Sequence, residues 1–426
     1  MITLNNPNSP PVTAVVLNLF ATGLGIARSL GERGIPVVGF TAERGAYGGF
    51  SRYVKTIRCA DSRYQPGLLL DQLQRLGEQL GHRAVIFPTR DHDLVFLDRF
   101  SRELAPYFVA VAPPRAALAS SLNKWDTYLA AVAAGVPTPK SWVVTDAESL
   151  RKAATEVAFP CVLKPVAAYH WRTASNWALV GARKAISVES PDRLLAEYDV
   201  IAAAESRVLI QEQVPGDDDC LLIAACYIDR QFRFRAGFNV QKLIQTPAGF
   251  GTGCIVQIAD RPELFERTVR LLQAIGFNGI AEVEYKWDAR DREYKLIEIN
   301  PRPWDQHRLG SACGVDLIYM AYCDAADRPM PSVRPNLAPR KWIAEDAFVL
   351  SALRLAWRRE PGLSALFRQA RGKKVYAIWL AGDPLPFLAY SSELVGYLVR
   401  GALAAIRHAA RKAMASRTKA PASAAR

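Results

Sequence analysis

The residues best suited to chemistry lie near the end of two apolar segments around positions 284 and 300. Glu298 and Asn300 stand two positions apart in an apolar run, so their side chains leave the same face of a strand. A second apolar run, 279–285, carries Glu284, and the charged, turn-forming residues between the two runs predict a hairpin. Carboxylate and amide oxygens suit Mg²⁺, which completes its shell with water and phosphates. The alternative is a hairpin with solvated acids.

Two lysines upstream could bring positive charge to the same place. Lys164 closes a short apolar strand at 159–163, and Pro165 after it favours an extended backbone. Lys124 precedes a helical pattern, and both ammonium groups could meet phosphates as point charges. A third segment, 208–219, is an apolar strand that breaks into three aspartates. Such a break leaves backbone groups free to pair with an adenine edge.

In this order the segments resemble the ATP-grasp superfamily, and within it the carboxylate–amine ligase-like group that includes D-aspartate ligase. The resemblance covers roughly residues 12–330. It rests on Lys124, Lys164, the sequence QEQVPG, Glu284 and the sequence IEINPR. The stretches RSLGERGIPVVGF, SRY and FPTRDHD are similar to the domain that precedes the grasp in that group. The order and spacing of the pieces carry the resemblance.

The resemblance implies a role for each matching residue, with ATP and Mg²⁺, or Mn²⁺ in its place, as cofactors. Lys124 and Lys164 would bind the phosphates. Glu284, Glu298 and Asn300 would hold the metal. Arg302 would face the transferred phosphoryl group, and Lys242 would contact substrate or phosphate. The remaining nucleotide contacts would come from Glu212, from the backbone of Gln213 and Val214, and from one of Asp217, Asp218 and Asp219, with Asp219 taken as the ribose candidate.

The chain departs from the group after the second lysine. Many members carry a glycine-rich loop over the phosphates there, whereas residues 165–180 contain no glycine. His170, Trp171 and Arg172 take that place. An arginine could replace backbone amides through charge-assisted hydrogen bonds. The alternative is a surface loop anchored by the tryptophan.

The glycine-rich segment 249–253 follows Lys242 and is a candidate for the substrate side of the site, because glycines let a backbone move or come close to a ligand. The alternative is a hairpin turn beside a solvated lysine. His307 lies close enough to Arg302 in sequence to contact substrate, although a structural role is the alternative.

The fold class expected is α/β and α+β: an ATP-grasp fold preceded by a Rossmann-like domain. Residues 1–112 would form that first domain, because an apolar strand at 13–19, a loop ATGLG, a helix and a strand at 36–40 make a parallel β–α–β unit. Residues 113–330 would form the grasp with its two subdomains. A proline-rich linker would lead to a helical C-terminal extension, 331–426, with a disordered basic tail.

We expect an ATP-dependent ligase that phosphorylates a carboxylate and joins the acyl phosphate to an amine. A carboxylate needs this activation because oxide is a poor leaving group, and no protein nucleophile is required. The alternatives are an enzyme that carboxylates with bicarbonate and a nucleotide-binding regulator without turnover. The loop ATGLG alone would suggest a dinucleotide oxidoreductase, but it lacks the third glycine of that fingerprint.

Composition limits the partners. The net charge of +13 favours acidic partners such as ATP, and the absence of a nucleic-acid motif argues against nucleic acid. The substrate would be a small or lipid-linked precursor with a carboxylate or amine.

Seven scattered cysteines without CxxC spacing and no visible leader predict a cytoplasmic enzyme. The basic apolar helix at 392–414 could lie on a membrane, and the chain could form homo-oligomers.

Overall fold

The computed structural model describes residues 10–205, 207–247, 249–359, 362–396 and 399–401. These residues form three β-sheets with helices packed on them: a five-stranded parallel sheet, a four-stranded sheet and a seven-stranded sheet. The α/β and α+β expectation is thereby confirmed. The described residues include no helix long and apolar enough to cross a membrane.

The first sheet has the strand order β3-β2-β1-β4-β5, with every neighbouring pair parallel. Its central strands are apolar throughout and buried, as expected for a parallel sheet covered by helices on both faces. Its elements are β1 Ala14–Leu17, α1 Ala21–Gly31, β2 Val37–Thr41, β3 Lys55–Arg58, α2 Pro66–Leu80, β4 Ala84–Phe87, α3 Asp91–Arg99, α4 Ser101–Leu104 and β5 Phe108–Ala110.

The predicted loop ATGLG is wrong, because these residues form the first turns of α1. The helix begins with Leu24 donating to the carbonyl oxygen of Phe20. Glycine is needed for packing here: a Cβ at Gly23 would lie 2.0 Å from the carbonyl oxygen of Asn18, and one at Gly25 would lie 2.5 Å from Nε2 of His307. The close approach of Asn18 and His307 therefore accounts for both glycines.

The four-stranded sheet is antiparallel, with the order β6-β9-β7-β8. Two helices lead into it, and the segment that replaces the glycine-rich loop forms two short helices, α8 and α9. The elements are α5 Arg115–Leu122, α6 Lys124–Ala133, β6 Ser141–Val144, α7 Ala147–Glu156, β7 Cys161–Pro165, α8 Ala168–Trp171, α9 Ala174–Leu179, β8 Ile186–Val188, α10 Pro191–Ile201 and β9 Val208–Glu212.

The seven-stranded sheet has the order β14-β13-β10-β11-β12-β15-β16, and the predicted hairpin is its β13–β14 pair. Its elements are β10 Leu221–Ile228, β11 Phe234–Thr246, β12 Thr252–Ala259, α11 Glu263–Ala274, β13 Gly279–Asp288, β14 Glu293–Asn300, α12 His307–Ala312, α13 Leu317–Ala325, β15 Lys341–Ile343, α14 Glu345–Arg358, α15 Leu363–Gln369 and β16 Lys374–Tyr376.

The C-terminal region is more than the helical extension that we predicted. It adds β15 and β16 to the seven-stranded sheet, with β15 antiparallel to β12. These strands have only three residues each, which is too short for a periodic signal in the sequence. Residues 385–396 are helical. Most of the basic helix predicted at 392–414, and the tail after it, lie outside the described residues.

Candidate active site

A cavity of about 820 Å³ lies where the three sheets meet. Alternation along β13 explains how one strand serves both core and cavity: Ala281, Val283 and Tyr285 are buried in an apolar cluster, whereas Glu282 and Glu284 between them line the cavity. Of the eleven predicted site residues, the cavity brings together all but Asp219: Lys124, Lys164, Glu212, Gln213, Val214, Lys242, Glu284, Glu298, Asn300 and Arg302.

The predicted metal-binding residues lie side by side. Glu284 pairs with Glu298 across the hairpin, and Asn300 follows on the same face two residues later. Asn300 donates from Nδ2 to Glu282 Oε2 at 3.0 Å and to Glu298 Oε1 at 3.3 Å, which leaves its Oδ1 as an acceptor. The described residues contain no group of three or more His, Cys, Asp or Glu side chains that could by themselves hold a metal ion. Two carboxylates and an amide oxygen nevertheless suit Mg²⁺, whose remaining ligands are water and phosphate.

A lysine neutralises each of the two carboxylates. Lys124, the first residue of α6, donates from Nζ to Glu298 Oε2 at 2.6 Å. Lys242, on β11, donates from Nζ to Glu284 Oε2 at 2.5 Å. Burial opposes ionisation of Glu298, but the positive charges of Lys124, Lys164 and Lys242 outweigh it and hold the pKa of Glu298 well below its usual range. Lys242 is therefore buried and paired, not the solvated lysine of the alternative interpretation.

Glu282 is a site residue that sequence reasoning missed. It lies opposite Asn300 in the hairpin and is buried, and this burial raises its pKa to about 8. The signal was available, because Glu282 stands two residues before Glu284 and must share its face of the strand.

Lys164 and Arg302 bring further positive charge. Lys164 donates to Gln211 Oε1 at 2.7 Å, and burial, followed by the charge of Lys124, lowers its pKa to about 8. Arg302 donates from Nε to Asp91 Oδ1 at 2.6 Å. Burial opposes the charge of Arg302, but Asp91 outweighs it and raises its pKa. The FPTRDHD stretch thus supplies Asp91, the first residue of α3, to hold a cavity arginine.

The end of the cavity predicted for adenine is lined by Glu212, Gln213 and Val214. Asp219 does not join them: it lines a separate cavity of about 660 Å³ with Trp287 and Tyr294. Its neighbour Asp218 binds the glycine-rich hairpin, accepting from Gln245 N at 2.8 Å and from Gly249 N at 3.1 Å. The sequence alone could not choose among three consecutive aspartates, because Asp218 contacts the hairpin whereas Asp219 lines the other cavity.

The segment between β7 and β8, where the resemblance would place a glycine-rich loop, forms one wall of the cavity through Arg172, Trp177 and Lys184. Lys184 reaches across the cleft and donates to Thr252 Oγ1 at 2.7 Å. Among the described residues neither Arg172 nor Lys184 has a hydrogen-bonded carboxylate, so their charges are free to meet an anion. His307, in contrast, is buried beside α1, with Nε2 3.1 Å from the carbonyl oxygen of Thr22.

Parts of the chain are similar in sequence to known proteins. The family model described as carbamoyl-phosphate synthase L chain, ATP binding domain matches residues 210–332. D-Aspartate ligase of Enterococcus faecium is 26% identical over 218 residues, covering 48% of this chain and 50% of that protein. D-Alanine–D-alanine ligase of Ectopseudomonas mendocina is 25% identical over 202 residues, covering 45% and 61%. The chain thus matches less than two thirds of either relative.

Solved structures show the same fold. N5-carboxyaminoimidazole synthetase of Staphylococcus aureus superposes with a TM-score of 0.62 at 14% identity, covering 84% of this chain and 88% of that one. The residues that the family model matches include β13 and β14, with Glu282, Glu284 and Glu298. The fold, the order of the motifs and these similarities together support the resemblance of the chain to the ATP-grasp superfamily.

Proposed function

We propose that this protein is an ATP-dependent ligase that converts a carboxylate into an acyl phosphate and couples it to an amine, releasing ADP and phosphate. One observation carries the proposal: the paired acids Glu284 and Glu298 share one cavity with Lys124, Lys164 and Arg302. That combination suits phosphoryl transfer, in which positioning and neutralisation of charge do most of the work.

The residues of the chain take distinct roles in this mechanism. Lys164 and Lys124 bind the phosphates as point charges, and release of Lys124 toward phosphate frees Glu298 as a ligand. Arg302, held by Asp91, faces the transferred phosphoryl group and then the acyl phosphate. The amine nitrogen attacks the acyl carbon, the bond from that carbon to the phosphate oxygen breaks, and phosphate leaves. Arg172, Trp177 and Lys184 keep water from the intermediate.

Magnesium fits the acids of the hairpin. Glu284, Glu298 and Asn300 Oδ1 would hold it, and when bound it would neutralise charge on the phosphates. Manganese prefers the same oxygen ligands and could take its place.

The substrates follow from the relatives at the level of chemical class. Both relatives named above are ligases of D-amino acids. We therefore propose that a small amino acid serves as the acid or the amine here, with the second substrate free or part of a larger precursor.

The experiment that tests this function measures ADP release from MgATP with single amino acids and hydroxylamine, which traps an acyl phosphate as a hydroxamate. Formation of AMP instead of ADP would exclude the mechanism.

Carboxylation with bicarbonate is the second candidate. It is favoured by the similarity in fold to N5-carboxyaminoimidazole synthetase. The two functions differ in the activated acid. ADP release that requires bicarbonate and no organic acid would select the carboxylating enzyme, whereas hydroxamate formation from an organic acid would select the ligase.

A further inference from the structure

The cavity reaches the carboxyl ends of the strands of the first sheet, at the point where the strand order of that sheet changes direction. From β1 the chain moves outward to β2 and β3, and later returns to the other side of β1 with β4. In open parallel sheets, ligands bind outside the carboxyl ends of the strands at such a point. Asn18 follows β1 there, and Thr89 and Arg90 follow β4. All three line the same cavity as Glu298.

Two arginines in this crevice converge on one carboxylate oxygen. Arg63 Nη2 and Arg90 Nη1 each lie 3.3 Å from Glu43 Oε1. Arg63, Arg90 and Glu43 all line the cavity. The protein thus shows that the crevice can hold a carboxylate, here one of its own.

The arginines are fixed, whereas Glu43 is loosely held. Arg63 donates to both oxygens of Asp61, at 2.9 and 2.7 Å, and Arg90 donates to Asp93 at 2.9 Å. Asp93 is buried, so its arginine partner is anchored from behind. The side chain of Glu43 is 40% exposed and its two contacts are longer than these. The carboxylate of a ligand that forms shorter hydrogen bonds than Glu43 could therefore take its place without moving the arginines.

Asn18 supplies a second polar group. It is 8% exposed, has a φ of 69° and lines the cavity. Its Oδ1 has no hydrogen-bond partner among the described residues. A buried acceptor without a hydrogen bond raises the free energy of the folded protein. An amino or hydroxyl group of a ligand could supply that bond by donating to Asn18 Oδ1.

We propose that this crevice binds the co-substrate through a carboxylate other than the one that ATP activates, with Arg63 and Arg90 as donors and Glu43 as the group that is displaced. The proposal rests on the ligase function proposed above. The crevice adjoins the reaction centre, because Asp91, next to Arg90 in the chain, binds Arg302. Amino acids, which carry a donor beside a carboxylate, are the class that fits.

The first test is binding to the full chain loaded with magnesium and a non-hydrolysable ATP analogue. Calorimetric titration uses D- and L-aspartate, D- and L-alanine, glycine and succinate, each beside its carboxamide. We expect at least one acid to bind and its carboxamide to bind about ten-fold more weakly or not at all, because charge-assisted hydrogen bonds are lost. If no acid in this series binds the loaded protein, the proposal is overturned.

Three variants test the residues. Arg63→Ala should weaken binding of the acid about ten-fold or more, and Glu43→Gln should strengthen it by removing the competing carboxylate. Arg270→Ala, in an exposed pair with Glu266, is the matched control and should change nothing. Arg90→Ala is less suitable, because Arg90 also anchors the start of α3. Unchanged affinity in Arg63→Ala, or weaker binding in Glu43→Gln, would overturn the proposal.

Hydroxylamine separates the two sources of the carboxylate, because it is an amine without one. If the carboxylate belongs to the amine substrate, Arg63→Ala raises the KM for that amine and leaves hydroxamate formation intact. If it is a second carboxylate of the activated acid, hydroxamate formation falls as well. Affinity for the ATP analogue should stay constant in every variant. If the wild-type protein does not bind the ATP analogue, that result would instead contradict the ligase function.

Discussion

Among single residues, the proposed binding of phosphate by Lys164 predicts that nucleotide affinity depends on pH. Its pKa lies at about 8 because of burial and the nearby charge of Lys124. Below that pH Lys164 is charged and attracts phosphate, and above it the charge is lost. We predict that affinity for an ATP analogue is constant from pH 6.5 to 7.5 and falls as pH rises through about 8. Titration calorimetry across this range measures the effect.

Lys164→Arg provides the control, since arginine stays charged throughout. The fall in affinity should then disappear. Equal pH dependence in the wild type and Lys164→Arg would show that another group titrates.

We propose that Asp91 acts through Arg302 as a positioning residue. Asp91→Asn keeps the size of the side chain but removes the charge that holds the guanidinium. We predict that kcat falls by about 10- to 100-fold with little change in the KM for ATP, because misplacement of a catalytic group costs rate rather than ground-state binding. Asp91→Glu should recover part of the rate. A raised KM with normal kcat would contradict this role.

Sequence reasoning worked best for these residues where one strand or one hairpin decides the geometry. Glu284, Glu298 and Asn300 are neighbours because two-residue alternation and a short turn leave few choices. Asp91 and Arg302 are 211 residues apart in sequence, and no local pattern indicates their contact. The pairing of Lys124 with Glu298 has the same long-range origin.

Among the elements, the segment between β7 and β8, which contains α8 and α9, carries side-chain cations where the resemblance would place a glycine-rich loop. Arg172 and Lys184 line the cavity, and Lys184 contacts Thr252 on the opposite wall. We predict that Arg172→Ala combined with Lys184→Ala weakens binding of an ATP analogue about ten-fold and leaves adenosine binding unchanged, because adenosine has no phosphate. Competition binding with the two ligands measures this difference.

Lys152→Ala, on the outer surface of α7, is the control for loss of a lysine. An equal loss of affinity for ATP and adenosine would mean that these residues shape the adenine site instead of covering the phosphates.

Two features of these elements, the short helix α8 and the conformation of ATGLG, could not be predicted from the sequence for physical reasons. Turns of helix as short as α8 carry too few residues for a periodic pattern. The glycines of ATGLG predicted a turn, but their reason is contact with Asn18 and His307, the second of which comes from a distant helix. A glycine in the sequence can indicate that space is restricted at its position, but it does not indicate which residue restricts that space.

At the scale of the whole molecule, a buried ion pair ties the C-terminal region to the first sheet. Asp383 accepts from Arg28 Nε at 2.9 Å, from Ser51 Oγ at 2.6 Å and from Arg52 N at 2.9 Å. Arg28 therefore serves structure through its guanidinium, and Arg52 does so through its backbone amide.

We predict that Asp383→Ala lowers the free energy of unfolding by about 3–5 kcal/mol, because it leaves the guanidinium of Arg28 buried without its partner. Urea unfolding followed by circular dichroism measures the change. Asp98→Ala, which breaks the exposed pair with Arg115, should cost about 1 kcal/mol or less. A similar small cost in both variants would show that the C-terminal region is not needed to hold the first sheet.

The parallel first sheet and the grasp were predictable because their strands are long or strongly apolar. The contribution of the C-terminal region was not, since β15 and β16 gain their stability from a sheet edge that the rest of the chain provides. The domain boundaries at 112 and 330 stay predictions, which limited proteolysis of the full chain can test.

The most direct test of the central claim is the yield of ADP and hydroxamate from MgATP, hydroxylamine and single amino acids, compared between the wild type and Glu298→Ala. We predict that both products form in equal amounts with at least one acid and that both are lost in the variant, while the variant remains folded. Equal activity of the variant, or release of AMP in place of ADP, would contradict the ligase function.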